Sequence, residues 1–293
     1  TTRIMKNSRN SENRKVTAVI LNYNSSGDCQ KCVAYLQKQT YQNLTTIIVD
    51  NASPDPNEKV ALKNIECATG AQLIFNNENR GFSAGNNVGL REAVKCDADW
   101  MIVINPDVEL RDPEYVSYVM AQIEKWPDAA VVGTDIRLPS GEKQNPMREV
   151  TPFEEIFWPL EMVKQKLGMW DGYRAEDKTG YCEKVSGCCF FISREYVEKA
   201  NYLDETIFMY CEEPILAKSV VNNGYKELYI HEVTANHEHY NHKKPGNSAS
   251  KMQVFLKSRL YYIQKYSGYN SLQIKMATFS RNLQYKLWEK QMK

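Results

Sequence analysis

The sequence has no run approaching eighteen consecutive apolar residues, and its first fifteen residues are largely polar and basic, with no apolar signal core. Neither a membrane span nor a secretion signal is therefore expected, and a cytoplasmic location follows as the default. No second Cys-x-x-Cys accompanies Cys29-Gln30-Lys31-Cys32 at zinc-ribbon spacing. The eight cysteines, including the adjacent Cys188 and Cys189, are read as small packing residues rather than metal ligands or disulfide partners. Net charge is only +1, which predicts no nucleic-acid partner. Internal repeats and low-complexity tracts are also missing. What remains is an ordinary globular composition: 293 residues, 42% of them apolar, enough for one large core with a small appendage.

Three short apolar runs stand out first: "VTAVILNYN" (16–24), "TTIIVDNAS" (45–53) and "AQLIFNN" (71–77). Segments with helical spacing separate them, and "WMIVINPD" (100–107) adds a fourth run. Continuous apolar strands alternating with helices of about a dozen residues predict a largely parallel sheet covered on both faces. Each run ends in polar residues: Asn22 and Asn24, Asp50 and Asn51, Asn76 and Asn77, Asn105 and Asp107. Ligands of open α/β sheets sit at the carboxyl ends of strands, so these ends should converge on one cleft. Further along come a helix over about 113–125, a strand over 129–136, a proline-rich middle, a run at 183–193, a helix over 212–222 and a run at 225–240. The last segment reads as helical after a Gly/Ser/Pro linker at 241–250.

The segments "VILNYNS", "IIVDNASPD", "NNENRGFSAGNNVGL", "VINPDVEL", "VSGCCFFISREYVE" and "LDETIFMYCEE" resemble, in order and spacing, family 2 glycosyltransferases. The likeness is to the rhamnosyltransferase-like branch that builds bacterial surface polysaccharides, and it covers about residues 16–240. It implies a GT-A-like (Rossmann-like) α/β domain, mostly parallel, with residues 1–15 as a disordered start and 241–293 as a linker and helical extension. It also implies sugar transfer from a nucleotide diphosphate to a hydroxyl of a glycan or lipid-linked acceptor, with inversion. The donor is left open among dTDP-rhamnose, UDP-galactofuranose and a UDP-hexose.

Site residues follow from the residue types and from that resemblance together. Asp50, at a strand tip, is suited to accept the imide N–H of uracil or thymine, the use the family makes of the matching acid. Asn51, Asn22 and Asn24 stand beside it, with ordinary turn formation as the alternative. In "NRGFSAGNNVGL" the glycines at 81, 85 and 89 are spaced by four, unlike a dinucleotide fingerprint. The expectation is that small residues at Gly81 and beyond admit backbone close to the ligand, with Arg80 reaching a diphosphate and Asn86 lining the pocket. A helix cap is the alternative at Ser83 and Asn86. Asp107, after Pro106 has ended the strand, matches the family's metal-binding acid for Mn²⁺ or Mg²⁺, which prefers hard oxygen ligands and retains waters. Of the histidines, His237 rather than His231 or His239 matches a late metal-ligating position, and imidazole favours Mn²⁺. Glu213, or else Glu212, matches the carboxylate that takes the acceptor's proton. Pro214, Ile215 and Ser219 depart from the family's following Asp and Arg. A pair of acids favouring a helix N-terminus is the bland alternative.

Residues 251–293 hold nine Lys or Arg against the single acid Glu289, a net +8 that leaves −7 for the first 250. Leu272, Met276, Phe279, Leu283 and Leu287 fall at helical spacing within this segment. The stripe is expected to pack on its own protein, to pair with a second copy as a homodimer, or to lie on anionic lipid as a peripheral membrane contact. Against the enzyme reading stand a catalytically degenerate relative that binds nucleotide sugar or a partner without turnover, supported by the changes after Glu213, and a pure scaffold, which leaves four polar strand ends unexplained. Nucleotidyl transfer would require a Gly-rich basic signature that "ILNYNSSGD" lacks.

Overall fold

A computed structural model describes residues 14–169, 178–238 and 249–292. The expected alternation organises the first third: β1 (Val16–Asn22), α1 (Ser26–Gln37), β2 (Leu44–Asp50), α2 (Pro56–Thr69), β3 (Gln72–Phe75), α3 (Phe82–Lys95) and β4 (Trp100–Ile104). Strands β3, β2, β1 and β4 lie side by side and parallel, with Asn22 directly opposite Asp50. Local chemistry sets the boundaries. Asp55 caps α2 by accepting from the Asn57 N–H, Pro56 occupies its first turn, and Gly70 ends it in the left-handed region at φ 74°.

Beyond β4 come β5 (Val108–Glu109), α4 (Tyr115–Ile123), β6 (Ala129–Arg137), α5 (Pro152–Ile156), α6 (Trp158–Lys166), β7 (Gly180–Cys182), β8 (Cys189–Ser193), α7 (Arg194–Ala200), α8 (Glu212–Asn222) and β9 (Lys226–His237). The sheet order is β3-β2-β1-β4-β8-β6-β9-β5, with β7 also on β9. Strand β8 runs antiparallel between β4 and β6, and β5 and β7 are antiparallel to β9, whereas β9 is parallel to β6. This half of the sheet is thus mixed. The inversion at β8 brings the start of that strand to the same edge as the ends of β1, β2 and β4. Helices cover both faces over two buried apolar clusters.

The proline-rich middle contains two helices the sequence pattern did not predict, α5 and α6; Thr151 and Glu154 form a reciprocal capping box that starts α5. The calls for a disordered 1–15 and a linker at 241–250 fall mostly outside the described residues. The extension is a helical pair, α9 (Ala249–Lys265) and α10 (Ser271–Met292), packed on α5 around a third small core that includes Ile207, Ile215, Tyr262, Ile263 and Ala277.

The expectation that the α10 stripe packs on its own protein is overturned. Leu272 and Phe279 are 66% and 72% exposed, and Met276, Leu283 and Leu287 are exposed too. Helix α10 instead turns Ala277, Ser280 and Gln284 inward. The cause is Glu155 on α5: fully buried, it binds both Arg259 of α9 and Arg281 of α10, and an ion triad of this kind dictates which face of α10 is inside.

Candidate active site

At the carboxyl edge of β1 and β2 the predicted polar residues meet. Asn22 Nδ2 donates to Asp50 Oδ1 at 3.0 Å and to Glu58 Oε2 at 3.0 Å. Asp50 also accepts from the Ser53 hydroxyl and backbone N–H, at 2.5 and 3.2 Å, and is wholly buried. Glu58 closes the start of α1 by accepting from the Ser26 N–H and hydroxyl. Asn24, in the left-handed region at φ 51°, is exposed above this knot and donates its N–H to Ser53 Oγ. Asn51 donates to Asn79 Oδ1 and the Gly81 carbonyl and accepts from Asn76, tying β2 to the loop before α3.

The glycines of that loop and helix do something other than expected. A Cβ at Gly85 would stand 2.6 Å from a Leu21 methyl and 3.0 Å from Asn51 Nδ2, and one at Gly89 would stand 2.3 Å from a Val19 methyl. They let α3 lie close on β1 and β2. Gly81, at φ 96°, would strike the Phe208 carbonyl, which accepts the Phe82 N–H at 2.9 Å. Arg80 is exposed and faces Glu205 at 3.5 Å. Asn86 is buried with Nδ2 on the Phe82 carbonyl, and its Oδ1 meets no hydrogen-bond donor. Its neighbour Asn87 is a latch: it bonds Leu203 N–H and C=O and Glu205.

Asp107 and His237 are brought together by the β5–β9 pairing, which sets Val108 opposite His237. His237 Nε2 lies 3.4 Å from Asp107 Oδ1, and its Nδ1 lies 2.6 Å from Gln144 Oε1. The amide oxygen can only accept, so Nδ1 carries the proton in that contact and Nε2 is the ring nitrogen turned towards Asp107. His231 sits lower on β9 beside Tyr229, and His239 is outside the described residues. Asn105 donates its N–H to the Cys188 carbonyl, so the turn after β4 is bound to the start of β8.

Glu212 and Glu213 open α8 after two consecutive residues in the left-handed region, Tyr210 at φ 72° and Cys211 at φ 66°. Such backbone is strained for non-glycine residues and persists only where the surroundings enforce it. Burial, and then the neighbouring Glu213, push the Glu212 carboxyl up to about 7. A Cβ at Gly187 would stand 3.2 Å from Glu213 Oε1, so this glycine makes room for the carboxylate. Burial raises the Cys188 thiol pKa, and the charges of Asp107 and Glu213 add to that rise. Lys184, buried nearby and unmarked by the sequence, has its pKa lowered by burial against the pull of Glu149 and Glu213. A cleft of about 440 Å³ between α3 and α8 is lined by Ser83, Gly187, Glu205, Glu212, Glu213 and Tyr266, among others; Asp50, Asp107 and His237 do not line it.

The loop before α8 is held by α9. Ser258 donates to the Met209 carbonyl at 2.6 Å, Arg259 approaches Cys211 Sγ at 3.9 Å, and Tyr261 and Tyr266 donate to Asp204. Burial works against the Asp204 charge, yet the Thr206, Tyr261 and Tyr266 hydroxyls hold its pKa down to about 2. Pro214 and Ile215 are buried, and Ile215 packs in the third core. The helix is therefore anchored by apolar contact with the extension.

The family model for glycosyl transferase family 2 matches residues 17–200. An N-acetylglucosaminyl-diphospho-decaprenol L-rhamnosyltransferase of Mycobacterium tuberculosis is 23% identical over 86% of this chain and 85% of its own length. An O-antigen chain rhamnosyltransferase of Salmonella typhimurium is 24% identical over 77% of this chain and 67% of its own. Among solved structures, a mannosyltransferase of Pyrobaculum calidifontis in complex with GDP-Man and Mn²⁺ superposes with a TM-score of 0.56 at 13% identity, covering 93% of this chain and 76% of that one.

Proposed function

The chain belongs to glycosyl transferase family 2 and is a glycosyltransferase, and from that premise we propose that it moves a sugar, with inversion, from a nucleoside diphosphate to a hydroxyl of a glycan or lipid-linked acceptor. The donor is dTDP-rhamnose or a UDP-hexose, a choice supported by the rhamnosyltransferases among its relatives. The observation that carries the reading is the Asp107–His237 pair, with the oriented imidazole 3.4 Å from the carboxylate at the carboxyl edge of the sheet.

That pair fits a divalent cation bound together with its substrate. One carboxylate and one imidazole suit Mn²⁺, and among the described residues no group of three His, Cys, Asp or Glu forms an all-protein cage. When bound, the cation neutralises charge on the departing diphosphate. We assign the base of the nucleotide to the corner between Asn22, Asn24 and Asp50, which Asn51 fastens to the Arg80–Gly81 loop. Asn86, with its buried oxygen free of donors, lies on the sugar side. The acceptor hydroxyl oxygen attacks the anomeric carbon and its proton passes to Glu213. The sugar–phosphate bond breaks with its electrons on the nucleoside diphosphate. Glu212 keeps a proton up to about pH 7 and spares Glu213 a second full charge at its side. Of the departures after Glu213, Ile215 packs against the extension in the third core.

Calorimetric titration of UDP-, dTDP- and GDP-linked nucleotides, with and without Mn²⁺, tests the reading. Metal-dependent binding of one nucleotide, lost in Asp107→Ala, is the expected result. If none binds, the donor site is misassigned.

A further inference from the structure

Three helices turn two apolar rows to solvent. On α10 the row is Leu272, Met276, Phe279, Leu283 and Leu287; across α5 and α6, Phe153, Phe157, Leu160, Val163 and Leu167 recur at spacings of four, three, three and four, and all are exposed. The rows adjoin. Ser280 of α10 donates to the Ile156 carbonyl of α5, and Trp158 and Met162 of α6 share a groove of about 300 Å³ with Arg281 and Gln284 of α10. Exposed apolar surface on this scale marks an interaction site.

The charge around the rows selects the occupant. Of the extension's basic residues, Arg259 and Arg281 are taken up inside by Glu155, while Lys275, Lys286 and Lys290 of α10 and Lys166 of α6 are exposed. Glu289 is the only acid on α10. In a two-fold contact the same patch meets itself, so a second copy would set these lysines against their own counterparts. An anionic bilayer supplies the opposite sign and also receives the apolar row. No helix of the described residues is long and apolar enough to cross a membrane, so the contact is one of lying on the surface.

We propose that the outer face of α5, α6 and α10 docks the enzyme on a bilayer containing anionic lipid, its apolar rows at the headgroup boundary and its lysines on lipid phosphates. Lys184 also lines the groove between α6 and α10. The inference rests on the transferase reading for its purpose, but vesicle binding is read without turnover and stands or falls separately from nucleotide binding.

The test is flotation of the full chain with phosphatidylcholine vesicles with and without phosphatidylglycerol. Binding to the mixed vesicles that weakens with salt is expected, with a loss of about tenfold or more in Lys286→Glu/Lys290→Glu. Phe279→Ser/Leu283→Ser should lose binding while its thermal midpoint and nucleotide titration match the parent. No binding to anionic vesicles, or equal binding to neutral ones, overturns the proposal. So does a dimer in sedimentation that Phe279→Ser/Leu283→Ser dissociates, since the face would then be a subunit interface.

Discussion

Arg259 of α9 and Glu155 of α5, 104 residues apart, are joined by two parallel hydrogen bonds inside the protein, and Arg281 of α10 completes the set from the other side. The same Arg259 touches Cys211, the residue before the two acids of α8. The extension is thus part of the scaffold that holds α8. It braces the left-handed backbone at Tyr210 and Cys211 from one side, while the Phe208 carbonyl ties the same loop to α3.

Glu155→Gln removes one charge from a buried triad and leaves two guanidiniums short of a partner. Loss of one member of such a set costs about 3–5 kcal/mol. Chemical denaturation should show this as a lower midpoint with an unchanged slope. A loss under about 1 kcal/mol would mean the triad is solvated.

Glu212 sets a pH dependence of stability. Its carboxyl titrates near 4.5 in ordinary surroundings and at about 7 in the folded chain, where burial and Glu213 disfavour its charge. Between these values the folded protein holds a proton that the unfolded chain has released, so stability falls as pH rises from about 4.5 to about 7 and stays lowered above. Glu212→Gln should therefore raise the thermal midpoint at pH 8 and change it little at pH 4. Equal effects at both would remove Glu212 as the titrating group.

Glu213→Gln keeps the shape beside Gly187 and removes the basic oxygen. General-base catalysis contributes about 10²–10⁴-fold, so kcat should fall by that factor while nucleotide affinity is kept. An unchanged rate would assign proton transfer to another group.

Much of the fold was legible because burial writes itself into hydrophobic runs. Strand β4 is apolar throughout, β1 is apolar from Ala18 to Leu21 and β2 from Ile47 to Val49, and their polar ends do meet at one edge. Strand direction beyond β4 was not legible, since a run such as Cys189–Ser193 reads the same antiparallel as parallel. The glycines misled because close approach has the same signature whether the visitor is a ligand or a strand. The α10 stripe misled because spacing identifies a face without saying which way it looks; the buried Glu155, one of several acids in a proline-rich stretch, decided that. Asp107 and His237 were found through the family motif, and Gln144 was not, since an orienting amide has no spacing rule.

Gly89→Ala tests the packing account of the glycine row. The added methyl would stand 2.3 Å from Val19 Cγ1, in a sheet face with no room to yield. Overpacking of this kind costs about 1–3 kcal/mol. The expected result is a lower midpoint with unchanged nucleotide affinity below the transition. Lost affinity at full stability would restore the ligand-approach reading.

Gln144→Leu separates an oriented imidazole from one merely nearby. In the parent, the amide oxygen 2.6 Å from Nδ1 holds the proton there and presents Nε2 to Asp107. Leucine is close in size and offers no acceptor, so the ring gains freedom of tautomer and rotation while β9 stays paired. Loss of such an outer partner typically weakens metal affinity by about 10–100-fold. Mn²⁺ titration in the presence of nucleotide should show that loss, and Gln144→Glu, which restores an acceptor at the same place, should recover most of it. If Leu and Glu variants bind Mn²⁺ alike, the imidazole is not a ligand, and Asp107 must act with the diphosphate alone.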